Sequence, residues 1–79
     1  MRLDKYLKVS RLIKRRPMAN EACDTGRVTV NGKVAKASYN VKVGDIIEIT
    51  FGNRQLKAEV LSLEETYNKD EAKGLYKEL

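Results

Sequence analysis

Arg15-Arg16-Pro17-Met18-Ala19-Asn20-Glu21-Ala22-Cys23-Asp24-Thr25-Gly26-Arg27-Val28-Thr29-Val30-Asn31-Gly32 is the stretch that decides how this chain folds. Pro17 has a fixed φ and no N–H to lose, which suits the first position of a helix. Met18 with Ala22 and Ala19 with Cys23 are i,i+4 pairs that make a weakly apolar stripe. Gly26 can adopt the left-handed conformation that ends such a helix. Val28-Thr29-Val30 alternates like a half-buried strand, and Asn31-Gly32 is a strong short hairpin signal. A short helix joined by one glycine to a tight hairpin is therefore expected. Cations stand at its start (Arg15, Arg16), at its joint (Arg27) and just past its tip (Lys33).

Downstream of the tip, Lys33 to Ser38 reads as a short return strand and a loop, and Gly44-Asp45 marks a turn. Ile46 to Phe51 is rich in β-branched residues, as strands are. Gly52-Asn53 suits a type II′ turn into a partner strand that reaches about Leu63, with Leu56, Ala58 and Val60 inward. Asn68 with Glu71 looks like a capping box. A last helix is expected from Asn68 to Leu79, its stripe of Ala72, Leu75, Tyr76 and Leu79 either folding back on the sheet or meeting a partner.

Upstream, Leu3, Tyr6, Leu7 and Ser10 follow the i, i+3, i+4, i+7 rule of a helix with one packing face. Arg2, Lys5, Lys8 and Arg11 recur along another flank. Asp4 lies in the first turn, where the helix dipole favours a carboxylate; alternatively it fixes a neighbouring arginine such as Arg16. Leu12 and Ile13 can close the core while Lys14, Arg15 and Arg16 stay in solvent. Because it precedes a proline, Arg16 is expected to be extended. Two cations at a helix N-terminus oppose the dipole, which points to a binding role.

The chain has 79 residues and a net charge of +5, unevenly placed. Residues 1–42 carry eleven Lys and Arg against three Asp and Glu, a net of +8, whereas residues 43–79 carry five against eight, a net of −3. Such asymmetry fits one face built to meet a polyanion. Histidine is absent, which removes the commonest general base and metal ligand together. No glycine-rich phosphate loop or metal-ligand spacing is present, so neither a cofactor nor a metal is expected. The single Cys23 falls on the apolar stripe and fits an inert thiol in a reducing, cytoplasmic setting. No run is long and apolar enough to cross a bilayer, and no signal-peptide pattern opens the chain.

Met1-Arg-Leu-Asp-Lys-Tyr-Leu7, the Arg16…Ala19 pair and Gly26-Arg-Val-Thr-Val-Asn-Gly32 together resemble the RNA-binding domain named after the fourth protein of the small ribosomal subunit. Lys36-Ala37-Ser38 and Val43-Gly44-Asp45 match the later part of that pattern. The resemblance runs over roughly residues 1–50 and is greatest to the heat-shock protein fifteen group with its compact bacterial ribosome-quality-control factors. Arg15, where members often carry a small hydroxyl residue, and Pro17 depart from the pattern. The long basic C-terminal extension of the larger heat-shock relatives has no counterpart here. The expected architecture is α+β: two short N-terminal helices packed on a small, twisted, mostly antiparallel β-sheet, with a C-terminal helix. Residues 1–65 would form the RNA-binding domain and residues 66–79 a helical tail.

The resemblance implies that RNA lies along the helices and the hairpin edge. It also implies binding of obstructed large ribosomal subunits carrying peptidyl-tRNA, with an RqcH-type (NEMF-like) quality-control protein that directs C-terminal alanine tailing. The alternative is a general heat-shock RNA-binding protein that recycles such subunits. Expected partners are thus rRNA of the large subunit, peptidyl-tRNA and the RqcH-type protein, with no membrane and a monomeric chain. Arg2, Arg15 and Arg16 lead the candidate RNA contacts, because the planar guanidinium can hold a phosphate with two bonds. Arg11, Lys14, Arg27, Lys33 and Lys36 extend the track, followed by Lys5 and Lys8, while Asn31 serves the turn. No nucleophile–base pair argues for a catalyst, and the apolar face of the first helix is too narrow for an interfacial membrane helix.

Overall fold

In the computed structural model, which describes residues 1–65 and 68–79, the chain runs α1 (Leu3–Val9), α2 (Arg16–Asp24), β1 (Val28–Val30), β2 (Lys33–Val34), β3 (Ile46–Phe51), β4 (Arg54–Val60), α3 (Lys69–Ala72), a 3₁₀ turn (Lys73–Leu75) and β5 (Tyr76–Glu78). The strands form one antiparallel sheet in the order β2-β1-β3-β4-β5. This is the expected α+β architecture. Its core joins Leu3, Tyr6 and Leu7 of α1 and Ala19, Ala22 and Cys23 of α2 to Val28, Ile47 and Ile49 of the sheet.

The joint between α2 and the hairpin follows the sequence reading closely. Gly26 has φ 76, its N–H donates to the Cys23 carbonyl at 3.1 Å, and the Arg27 N–H donates to Ala22 at 2.9 Å. Those two bonds are the Schellman pattern, which satisfies carbonyls that a helix end leaves open. At the hairpin tip Asn31 and Gly32 have φ 53 and 85, the left-handed pair of a type I′ turn. Asn31 does more than turn the chain. Its amide donates to Asp45 at 3.0 Å and its side-chain oxygen accepts the Ile46 N–H at 2.9 Å, locking the tip against β3.

Four expectations are corrected. The second helix begins at Arg16, so Arg16 is its first residue rather than an extended one; Arg15 is the extended cap (φ −130, ψ 138) and Pro17 still falls where no N–H is needed. Met18 is exposed, and the buried stripe of α2 is Ala19, Ala22 and Cys23 instead. β4 stops at Val60 rather than near Leu63, leaving Leu61 exposed and Leu63 packed against the core. The expected helix of residues 68–79 is a single turn, α3, capped by the Asn68 side chain, which accepts the Asp70 N–H at 2.8 Å. Beyond Gly74 the chain extends and β5 pairs with β4, because the open edge of β4 offers a ladder that a free helix does not. The first residues of the expected 66–79 tail, Thr66 and Tyr67, lie outside the described residues.

The end of the chain is tied to its beginning. The Leu75 carbonyl accepts the Tyr6 hydroxyl at 2.6 Å and the N–H groups of Leu61 at 2.9 Å and Ser62 at 3.2 Å. With Leu75 itself 4 % exposed, this draws the 3₁₀ turn onto α1 and closes the core.

A side chain at Gly26 would meet nothing within 4 Å, so a substitution there costs backbone strain alone. Gly26→Ala should lower stability by about 1 kcal/mol and Gly26→Val by about 2, the β-branched residue tolerating the left-handed region least. Lys57→Ala, which removes an exposed cross-strand pair with Glu48 at 3.6 Å, should change stability by less than about 0.5 kcal/mol. Urea unfolding of the three variants checks the order; a Gly26→Val midpoint equal to that of Lys57→Ala would refute the role of Gly26.

Candidate nucleic-acid interface

Asp4 sits in the first turn of α1 with its side chain only 4 % exposed. A carboxylate buried to that extent requires partners, and four residues supply them. Arg2 donates through Nε at 3.2 Å and Nη2 at 3.4 Å, and the Lys5 N–H donates at 2.8 Å. From the start of α2, Arg16 Nε lies at 3.4 Å and Asn20 Nδ2 at 3.4 Å. Of the two alternatives for Asp4, the structure shows the clamp: it holds Arg16, and Arg2 with it. Burial would raise the Asp4 carboxyl, but the bonds from Asn20, Arg16, Arg2 and the Lys5 N–H outweigh it and hold the group below the usual carboxylate range. The two arginine side chains remain about half exposed, at 51 % and 47 %. Each guanidinium has five N–H donors, so both keep donors directed to solvent.

A groove runs past this clamp. One wall is Arg2, Asn20, Asp24 and Gly26; the other is the segment Val34 to Ser38, which presents Lys36 and Ser38. It continues over Arg16, Pro17 and Asn20 beside Asp4. The second wall is positioned by backbone bonds that α1 itself needs. The Leu3 N–H donates to the Tyr39 carbonyl at 2.7 Å and the Asp4 N–H to Ala37 at 3.1 Å. Thus the loop carbonyls cap the first turn of α1, whose N–H groups have no partner within the helix. Asp45, 8 % exposed, secures the same loop by accepting from Tyr39 Oη at 2.9 Å, the Lys42 N–H at 2.9 Å and Asn31. Burial would raise this carboxyl too, and the three hydrogen bonds bring it below its ordinary value.

The candidate cations are thereby sorted. Arg2, Arg16 and Lys36 line the groove, and Lys33 lines the adjoining depression along the hairpin edge with Lys36. Lys14 and Arg15 are exposed at the start of α2, and Lys8 is exposed on α1. Arg11 ends the turn after α1 with φ 63. Two residues stand apart. Lys5 Nζ is paired with Glu65. Arg27 donates through Nε to Thr25 Oγ1 at 2.9 Å and lines a cleft on the other flank of α2 with Phe51. Sequence reading missed Asn20 and Ser38 as groove residues; neither carries a charge or a period that marks it. Cys23 is buried, and burial first, then the charges of Asp4 and Asp24, push its thiol up to about 11, so it stays protonated at neutral pH. Among the described residues no group of three or more His, Cys, Asp or Glu gathers to hold a metal, and no helix is long and apolar enough to cross a membrane.

The depressed carboxyls make stability depend on acid. A group with a lowered folded pKa stabilises fully above its unfolded value, near 3.9, and that stabilisation is lost as pH falls through the folded value. Thermal melts should therefore be flat between pH 7 and 5 and fall below about pH 4. Asp4→Asn should cost about 2 kcal/mol at pH 7, because it leaves two arginines without their buried counter-charge. The same variant should lose less on acidification than the parent; an acid sensitivity equal to the parent's would remove Asp4 from the linkage.

Comparison with known proteins agrees with this geometry. Residues 1–47 match the S4 domain. The chain is 57 % identical over 76 residues to the RQC P-site tRNA stabilizing factor of Halalkalibacterium halodurans, covering 96 % of this chain and 86 % of that protein. It is 54 % identical, with the same coverage, to the protein of that name from Streptococcus pneumoniae. Among solved structures, the trimeric structure of Vibrio cholerae heat shock protein 15 superposes with a TM-score of 0.92 at 31 % identity, covering 100 % of this chain and 81 % of that one. The chain belongs to the S4 domain family, in the group that holds the RQC P-site tRNA stabilizing factors and heat shock protein 15.

Proposed function

We propose that the protein is a non-catalytic RNA-binding factor of ribosome quality control. It binds rRNA and peptidyl-tRNA on obstructed large ribosomal subunits and, with an RqcH-type protein, supports alanine tailing of the stalled chain in the cytoplasm. The observation that carries the reading is the pair of half-exposed arginines, Arg2 and Arg16, fixed by one buried carboxylate beside Lys36. The family supports it, since relatives 57 % and 54 % identical bear the name RQC P-site tRNA stabilizing factor. The proposed mechanism is positioning: a rigid fork of guanidinium donors meets phosphates at a set spacing. A-form RNA hides its base edges in a deep, narrow groove, so backbone shape is what such a fork can read. Arg15, Lys14, Arg11, Lys8 and Lys33 extend the field around the fork. The second reading, a general heat-shock RNA-binding protein that recycles large subunits with bound peptidyl-tRNA, rests on the likeness to heat shock protein 15 as a group. A reconstituted tailing reaction, with and without this protein, separates the two.

Binding to large subunits should weaken steeply with salt, the log–log slope falling by about 0.7 to 0.9 for each phosphate contact. Arg16→Ala should lose about 1 kcal/mol of stability, since it removes a half-exposed partner of buried Asp4. Co-sedimentation with large subunits should fall at least tenfold, and Arg16→Lys should recover it only in part. Circular dichroism melts and sucrose gradients on the same proteins check both halves. A variant that folds like the parent and still co-sediments like it would remove Arg16 from the interface.

A further inference from the structure

The flank of α2 opposite the groove carries a cleft that the reading above leaves unused. Met18 and Phe51 form its rim, exposed by 56 % and 42 %, with Ile13 and Ala22 at its base. Phe51 is the only phenylalanine in the chain and stands at the end of β3, where apolar exposure serves no packing purpose. Two arginines border it. Arg27 lines the cleft and accepts through its carbonyl the Thr50 N–H at 2.9 Å, and Arg54 is the cross-strand partner of Phe51. Neither arginine takes part in an ion pair among the described residues. Glu21 is the one carboxylate in the lining.

We propose that this cleft takes an unpaired RNA nucleotide, its base stacked on Phe51 against Met18 and its flanking phosphates on Arg27 and Arg54. The inference rests on the RNA-binding reading and adds a second contact to it. Charge selects the occupant: arginines beside an exposed aromatic ring suit a base with its phosphates, since every base has a π-face and a charged backbone. Continuity supports it as well. Ile13 lies in the cleft and Arg16 in the groove, so Lys14 and Arg15, both exposed, bridge the two around the start of α2. A strand bound along the groove can thus reach the cleft over an unbroken run of cations.

The test compares two RNAs, a blunt, fully paired duplex and the same duplex with one bulged nucleotide. The parent should bind the bulged RNA more tightly. Phe51→Leu, apolar but without a ring face, should lose about tenfold on the bulged RNA and nothing on the paired one. Phe51→Trp should keep the preference, and its emission, unique in a chain without tryptophan, should be quenched by the bulged RNA alone. Phe51→Leu binding both RNAs like the parent would leave the cleft to a protein partner and overturn the proposal. Equal loss on both RNAs would overturn it too, by making Phe51 structural. If the parent binds neither RNA, the RNA-binding reading fails with it, whereas binding of the paired duplex with no bulge preference sinks the cleft alone.

Discussion

One buried carboxylate sets the geometry on which the rest depends. Asp4 is dehydrated by the packing of α1 on α2, and an ionised group in that position is stable only when hydrogen bonds replace its water. Arg2 and the Lys5 N–H come from its own turn, while Arg16 and Asn20 come from the next helix. Satisfying Asp4 therefore docks the two helices and orients two guanidinium groups at once. The rotamer freedom of those arginines is surrendered largely on folding, which lessens what binding must later overcome. In the proposed function, stability and recognition share the same atoms. Arg16, which opposes the dipole of α2 from its first turn, has that charge answered by Asp4.

The two halves of the chain divide the labour. The basic half builds the clamp, the groove and the hairpin; the acidic half supplies β3, β4, α3 and β5 as the support behind them. The halves meet through the β1–β3 ladder and a shared core, and two polar contacts tie them further. Asp45 gathers the hairpin tip and the groove loop, and the Leu75 carbonyl gathers Tyr6 and the segment after β4. Glu65 occupies Lys5, so this cation is drawn toward the acidic support and away from Arg2 and Arg16.

Membership of the S4 domain family accounts for the shared frame, and the side chains on it carry the individual chemistry. Pro17, unusual after the arginine, does not disturb α2, because the helix starts one residue earlier and the ring falls in its first turn. The exposed Met18 and Phe51 then become a second feature of this surface rather than a flaw in its core.

Near-neighbour physics made much of the fold legible in the sequence. Pro17, Gly26, Gly32 and Gly52 act through backbone preference within a few residues, and each does what its chemistry dictates. The apolar face of α1 also follows from period alone and found Leu3, Tyr6 and Leu7 in the core, and the β-branched content of residues 46–51 marked β3 as a strand. Charge counting located the basic half and named Arg2, Arg15 and Arg16 first, but the grouping of Arg2, Arg16 and Lys36 along one groove came from the fold. Tertiary structure alone decided the rest. It put Arg27 on the opposite flank, turned Lys5 to Glu65, exposed Met18, and recast the expected C-terminal helix as a single turn followed by an edge strand. Those outcomes depend on partners far away in sequence, such as Tyr6 and Leu75, 69 residues apart, or Lys5 and Glu65, 60 apart. The helical stripe from Ala72 to Leu79 was weak in free energy and interrupted by Gly74, so the unpaired edge of β4 and the core site for Leu75 prevailed over local preference.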